Sequence, residues 1–255
     1  MERDSYEHGV PSWIDLGTPD AEAAAMFYGE LFGWHVEQGP PEAGGYAMAM
    51  LRGKLVAGLG PQQNPGPAYW STYVNVDDAD AIAAAVEAGG GKTIVPPMDV
   101  MTAGRVGIFA DPTGAAFGVW QPADMKGAQL VNEPNTWCWS ELLTTDLAGS
   151  KQFYGSVFGW GGHSSGPGDQ PYTEWQVGDR SVGGMMAKPA EAANMPNAWI
   201  VYFTVDDVEA TTQKVRELGG SVTAEPMDVG PGRIAILTDP TGGTFGVIRF
   251  TEQPD

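Results

Sequence analysis

Phe27-Tyr28-Gly29-Glu30-Leu31-Phe32-Gly33-Trp34 is written again, 126 residues on, as Phe153-Tyr154-Gly155-Ser156-Val157-Phe158-Gly159-Trp160. Working outward from this pair, Val76-Asp77-Asp78 returns as Val205-Asp206-Asp207, Pro97-Met98-Asp99-Val100 as Pro226-Met227-Asp228-Val229, and Asp111-Pro112-Thr113-Gly114 as Asp239-Pro240-Thr241-Gly242. The blocks keep their order and nearly their spacing, so a whole domain is duplicated. A period this long excludes a stack of small repeats. Every position has a twin, and comparing twins separates what the scaffold needs from what it can change.

The chain of 255 residues suits two domains. We place them at residues 1–120 and 136–255, joined by a linker at 121–135 that carries Pro122, Gly127 and Pro134. Against 13 Lys and Arg stand 32 Asp and Glu, and a net charge of −19 repels nucleic acid and anionic membranes. Residues 1–11 include Glu2, Asp4 and Glu7 and no apolar run, unlike a secretory signal. No window reaches the roughly 18 apolar residues of a bilayer span. A single cysteine, Cys138, fits a reducing compartment. The expectation is a cytoplasmic protein, monomer or homodimer, without nucleic-acid or membrane partners.

Each copy opens with a short strand, Ser12 to Gly17 and Cys138 to Leu143. A helix follows, capped by Asp20 and Asp146 and stopped at Gly33 and Gly159. Next comes a hairpin, Tyr46 to Leu51 with Lys54 to Leu59, whose twins are Tyr172 to Val177 and Arg180 to Met185. The pattern then restarts with a strand (Trp70 to Val76; Trp199 to Val205), a helix (Asp78 to Ala88; Asp207 to Leu218) and two further strands around the Asp-Pro-Thr-Gly turn. Met98-Asp99 and Met227-Asp228 read as loops between helix and strand.

Phe-Tyr-x-x-x-Phe-Gly-Trp, a Val-Asp-Asp strand end and an Asp-Pro-x-Gly turn, in that order, resemble the vicinal oxygen chelate superfamily of glyoxalase I, extradiol dioxygenases and bleomycin-binding proteins. The resemblance spans nearly the whole chain. It is closest to tandem glyoxalase-like proteins of actinobacteria. It implies an α+β fold of four βαβββ modules, paired into two domains whose mixed sheets curl around cavities. In its metal-dependent members, His or Glu side chains on the cavity strands hold a divalent ion.

Counted from the motifs, those ligand positions fall on Trp13 and Trp139, Ser71 and Ile200, and Gly118 and Gly246. On the hairpin, Leu55 to Gly60 and Ser181 to Met186 contain no carboxylate or imidazole. A divalent ion needs several converging N or O donors, and these side chains do not supply them. We therefore expect no metal and no other cofactor. His8, His35 and His163 read as tail and loop histidines.

Strand alternation puts Trp13 and Asp15 on the cavity face, with twins Trp139 and Glu141, while Ile14 and Leu16 face the helices. On the hairpin, Tyr46, Met48 and Met50 share a face and match Tyr172, Glu174 and Gln176; Tyr73 and Tyr202 lie on the following strand. Trp120 lines the first cavity, with Ile248 as its twin. Aromatic walls with a few polar groups suit a flat or partly apolar ligand. Arg105 and Arg233 border the cavities as ligand contacts or as buried partners of Asp15 and Glu141. Trp34, Trp160, Trp70 and Trp199 read as packing residues, and Cys138 has no twin thiol to support a nucleophilic role.

Three functional classes stay open. The first is a metal-free binding protein, like the bleomycin-binding branch, for an aromatic or amphipathic molecule. The second is a lyase or isomerase. It would use Glu141 or Asp15 as general base with Tyr202 or Tyr73 as proton donor, or a glyoxalase-like metal site displaced from its usual place. A surface that serves another protein is a third possibility.

Overall fold

The computed structural model describes residues 1–62, 65–166, 171–192 and 194–251, so the last four residues assigned to the second domain lie outside it. Along the first copy run β1 (Pro11–Thr18), α1 (Ala21–Phe32), β2 (His35–Gln38), β3 (Ala47–Leu51) and β4 (Lys54–Pro61). Then come β5 (Tyr69–Asn75), α2 (Ala79–Ala88), β6 (Lys92–Val100), β7 (Gly104–Ala110) and β8 (Ala116–Pro122). The second copy repeats the plan with β9 (Trp137–Thr144), α3 (Leu147–Phe158), β10 (Gly161–Ser165), β11 (Tyr172–Val177) and β12 (Arg180–Ala187). It continues with β13 (Ala198–Thr204), α4 (Val208–Glu217), β14 (Ser221–Val229), β15 (Gly232–Thr238) and β16 (Thr244–Phe250). These are four βαβββ modules.

Local chemistry sets the helix ends. The Asp20 carboxylate accepts from the Ala23 amide and Asp146 from the Gly149 amide, while Gly33 and Gly159 adopt the left-handed conformation that closes α1 and α3. The β3–β4 turn places Arg52 and Gly53 both at positive φ, the geometry that matches strand twist in a two-residue hairpin.

Each copy builds one open eight-stranded mixed sheet, in the orders β2-β3-β4-β1-β5-β8-β7-β6 and β10-β11-β12-β9-β13-β16-β15-β14. At the centre β1 runs antiparallel to β5, flanked by the parallel pairs β1–β4 and β5–β8. Met98-Asp99 and Met227-Asp228 belong to the edge strands β6 and β14, not to loops. The prolines that hide these strands are tolerated because an edge strand needs only half of its backbone hydrogen bonds, and the register slips beside them.

Length alone would allow each copy a core of its own, yet the cores are shared. Phe27, Tyr28, Phe32 and Trp34 from α1 and its C-terminal end pack with Val201, Phe203, Val205 and Phe245 of the second copy. Phe153, Tyr154, Phe158 and Trp160 pack with Val74, Phe109, Phe117 and Val119 of the first. Buried polar contacts lock the exchange: the Tyr28 hydroxyl donates to Asp239 Oδ2 at 2.8 Å and Tyr154 to Asp111 Oδ2 at 3.1 Å. Trp70 and Trp199 donate to those same tyrosine oxygens at 3.0 Å. The repeated Phe-Tyr-Gly and Asp-Pro-Thr-Gly motifs are thus two halves of one clasp between copies. Among the described residues no helix is long and apolar enough to cross a membrane.

Candidate functional site

Each sheet presents a carboxylate at the centre of the face turned away from the helices. Met48, Gly58, Asp15 and Ser71 are register partners across β3, β4, β1 and β5; Glu174, Gly184, Glu141 and Ile200 repeat the row in the second copy. Beside it, Trp13, Tyr73 and Gly118 form a second row, matched by Trp139, Tyr202 and Gly246.

The tyrosines close on the carboxylates. Tyr73 Oη donates to Asp15 Oδ2 at 2.9 Å, Tyr46 Oη donates to the same oxygen at 3.2 Å, and Trp13 Nε1 donates to Tyr46 Oη at 2.9 Å. In the second copy Tyr202 Oη donates to Glu141 Oε1 at 3.0 Å and Trp139 Nε1 to Tyr172 Oη at 2.9 Å. Their rings pack against glycines. A Cβ at Gly118 would stand inside the Tyr73 ring, one at Gly246 inside the Tyr202 ring, and those at Gly58 and Gly184 against the Tyr46 and Tyr172 hydroxyls.

Burial dominates the electrostatics. It pushes the Asp15 carboxyl up to about 6 against the hydrogen bonds of Tyr73, Tyr46 and Ser71, and raises Glu141 against those of Tyr172 and Tyr202. The tyrosine hydroxyls are held neutral, by burial first and by the neighbouring carboxylates second. Each cup therefore contains a carboxyl group of raised proton affinity with phenol donors at hydrogen-bond distance, an arrangement able to take up or deliver one proton.

The structure brings together Trp13, Asp15, Tyr46 and Tyr73, and Trp139, Glu141, Tyr172 and Tyr202. Met48 and Glu174 lie in the carboxylate rows, and Met50 and Gln176 further along the same strands. Trp120 is buried, its Nε1 donating to Met125 O of the linker at 2.8 Å. Arg105 and Arg233 do not bridge to Asp15 and Glu141. Arg105 pairs with Asp99 and Asp80, both at 2.8 Å, and Arg233 with Asp228 at 2.8 Å and with Glu209. Asp99 and Asp228 are their register partners on the edge strands, so the guanidiniums are already claimed at the sheet margin. Burial pushes the Cys138 thiol up to about 12, and its Sγ lies 3.3 Å from Tyr202 O.

Among the described residues no group of three His, Cys, Asp or Glu converges as a metal ion would require. The metal that the resemblance implies does not fit the side chains present: indoles, Ser71 or Ile200, and bare glycine stand at the ligand positions, and Asp15 in the first copy and Glu141 with Glu174 in the second are the carboxylates of these rows. The seats Gly58 and Gly184 were not singled out from sequence, although they are twins. Asp15 and Glu141 do not line the cavities found nearby. One of about 640 Å³ runs between the β3–β4 hairpin and the linker, lined by Met48, Leu55 and Met125.

A model of the Glyoxalase/Bleomycin resistance protein/Dioxygenase superfamily matches residues 11–119 and 126–247. A Mycobacterium tuberculosis protein, named provisionally as the glyoxylase CFP32, is 44% identical over 261 residues, covering 98% of each chain. The anthracycline biosynthesis protein DnrV of Streptomyces peucetius is 40% identical over 263 residues, 97% of this chain and 95% of that one. Among solved structures, the Mn(II)-bound glyoxalase from Novosphingobium aromaticivorans superposes with a TM-score of 0.65 at 18% identity, covering 97% of this chain and 86% of that one. The 2,3-dioxygenase LapB from Pseudomonas sp. KL28 gives 0.66 at 14% identity, with 98% and 96% covered. At these identities the structural likeness is one of fold alone.

Proposed function

The chain belongs to the glyoxalase/bleomycin resistance protein/dioxygenase superfamily, and from that premise we propose that it is a metal-free member that binds a small aromatic or amphipathic molecule in one or both cups. One observation carries the reading. Where the fold family places metal ligands, both copies put a tryptophan and a glycine, and a tyrosine ring rests on the glycine. Three facts then agree: the usual imidazole and carboxylate donors are gone from these positions, the space is aromatic, and the central carboxylate, Asp15 or Glu141, is satisfied by phenols. A planar ligand entering the cup would displace or stack on these rings, which offer large apolar area at little entropic cost. The Streptomyces relative's role in anthracycline biosynthesis puts polycyclic aromatic molecules first among ligands to try.

Metal analysis of protein purified without a histidine tag, followed by fluorescence titration with an anthracycline aglycone and its glycoside, tests the proposal. We expect no stoichiometric divalent ion and saturable tryptophan quenching with a raised Tm. A tightly bound stoichiometric ion, or a broad aromatic screen without a single saturable hit, overturns it.

A second reading, an acid–base lyase or isomerase, is favoured by one specific observation: the Asp15 carboxyl is pushed up to about 6 with Tyr73 Oη 2.9 Å away. A base of that affinity next to a neutral phenol suits proton transfer near neutrality. Under this reading Asp15→Asn and Glu141→Gln abolish turnover while ligand affinity is kept. Retained turnover in both variants excludes it.

A further inference from the structure

A cleft of about 390 Å³, which shares Trp139 with the second cup, lies where the N-terminal segment crosses the second sheet, lined by Tyr6, Asn132, Trp137, Trp139, Asp179 and Arg180 among others. The segment is firmly placed. Arg3 N donates to Gln129 O at 3.0 Å, Tyr6 Oη to Ala128 O at 2.6 Å, and Asn75 Nδ2 to Tyr6 O at 2.9 Å. The wall is therefore built by ordered backbone, not by a loose tail.

Among the described residues the cation of this cleft, Arg180, is unpaired where its twin is not. Lys54, the first-copy twin of Arg180, is neutralised by Glu2 at 3.1 Å. Arg180 makes no ion pair among the described residues, and after burial the strongest influence on it is the charge of another cation, Arg3. Tyr6 lines both this cleft and the neighbouring one that Arg3 borders. Burial and then the Arg3 charge lower the proton affinity of Arg180, while Glu7 opposes them without forming a bridge. Arg3 itself keeps a buried Nε with no hydrogen-bond partner. Among the described residues neither Arg180 nor Arg3 is in an ion pair, in a chain where acids outnumber bases 32 to 13. At Arg180, an exposed guanidinium with no ion-pair partner beside an aromatic wall offers its donors to an incoming anion.

We propose that this cleft is an anion site for an aromatic acid, with Arg180 gripping the carboxylate or phosphate and Tyr6, Trp137 and Trp139 holding the ring. A guanidinium offers paired donors in the plane of a carboxylate or phosphate oxygen pair, and the indoles supply the apolar wall. Asp179, on the same rim, disfavours polyanions and selects ligands with a single anionic group.

Tryptophan fluorescence titration of the whole protein with 1-naphthoate, 1-naphthyl phosphate and neutral 1-naphthalenemethanol tests the assignment. We expect saturable quenching by at least one anion, binding about tenfold weaker for the alcohol, and affinity that falls with added salt. Comparing the naphthoate with the phosphate ester decides which oxyanion the cleft prefers. Arg180→Gln, an exposed change that leaves the fold intact, should weaken the anion about tenfold, and Arg180→Lys should recover part of that loss. Glu141→Gln, in the carboxylate cup, should leave the anion's affinity unchanged, which separates this site from the function proposed above. Equal affinity for the alcohol, indifference to Arg180→Gln, or loss in Glu141→Gln overturns the proposal.

Discussion

Asp15 accepts two phenol hydrogen bonds on one oxygen, yet burial still raises its carboxyl from 3.8 to about 6. The folded state therefore prefers the protonated acid. The stability this contributes is fully present below about pH 4, the unfolded value, and is lost as pH rises through about 6. Asp15→Asn keeps the shape and removes the ionisation, so its Tm should gain on the parent across that interval, because the decline the parent shows there is absent from the variant. Parallel melting curves for the two proteins would refute this account of the cup. Alternation along β1 was enough to put Trp13 and Asp15 on one face with Tyr46 and Tyr73. What alternation could not give was partnership. Arg105 and Arg233 sit close enough in sequence to the cavity strands to look like counter-ions, but their partners are on the helices α2 and α4 and on the edge strands β6 and β14, whose pairing was not legible in the sequence. Gly118 and Gly246, read only as missing ligands, are the seats on which tyrosine rings lie.

At the scale of the element, the seats follow from cross-strand pairing. Tyr73 and Gly118 are register partners on β5 and β8, and Tyr202 and Gly246 on β13 and β16. An aromatic ring laid over a cross-strand glycine covers backbone that no side chain protects. Gly118→Ala drives a methyl into the Tyr73 ring, and we expect about 1–3 kcal/mol of destabilisation from overpacking. Adding Tyr73→Leu should recover much of it, so a double-mutant cycle by denaturant unfolding that gives simple additivity would contradict the seat. The strands that carry these seats were legible because they alternate cleanly and end at strong turns. β2 is four residues of mixed polarity, and β6 contains Pro96 and Pro97 and is mostly exposed, so neither shows the periodicity of a half-buried strand. Direct reading found one strand, one helix and two further strands in each module. Only the family resemblance supplied the third strand after the helix.

At the scale of the whole molecule, duplication made the architecture visible and hid how the copies join. A repeat in sequence is equally compatible with two independent cores and with two exchanged ones; only the partners of Tyr28 and Tyr154 decide. Each copy carries both halves of the clasp, Tyr28 with Asp111 and Tyr154 with Asp239. The first copy alone, residues 1–135, should therefore not fold as a monomer but should pair with itself, each Tyr28 reaching the partner's Asp111. That homodimer would be weaker than the native union for identifiable reasons. Thr72 now shares a buried hydrogen bond of 2.7 Å with Ser140, whose first-copy twin is Ile14, so both Thr72 hydroxyls would be orphaned at roughly 1–3 kcal/mol each. Phe203, which packs against Phe32 and Trp34, would be replaced by its smaller twin Val74. Sedimentation of the fragment should show a dimer with a concentration-dependent Tm, and Thr72→Val should tighten it by removing the orphaned hydroxyls. A folded monomeric fragment would mean that each copy can complete its core alone, contrary to the exchange of α1 and α3.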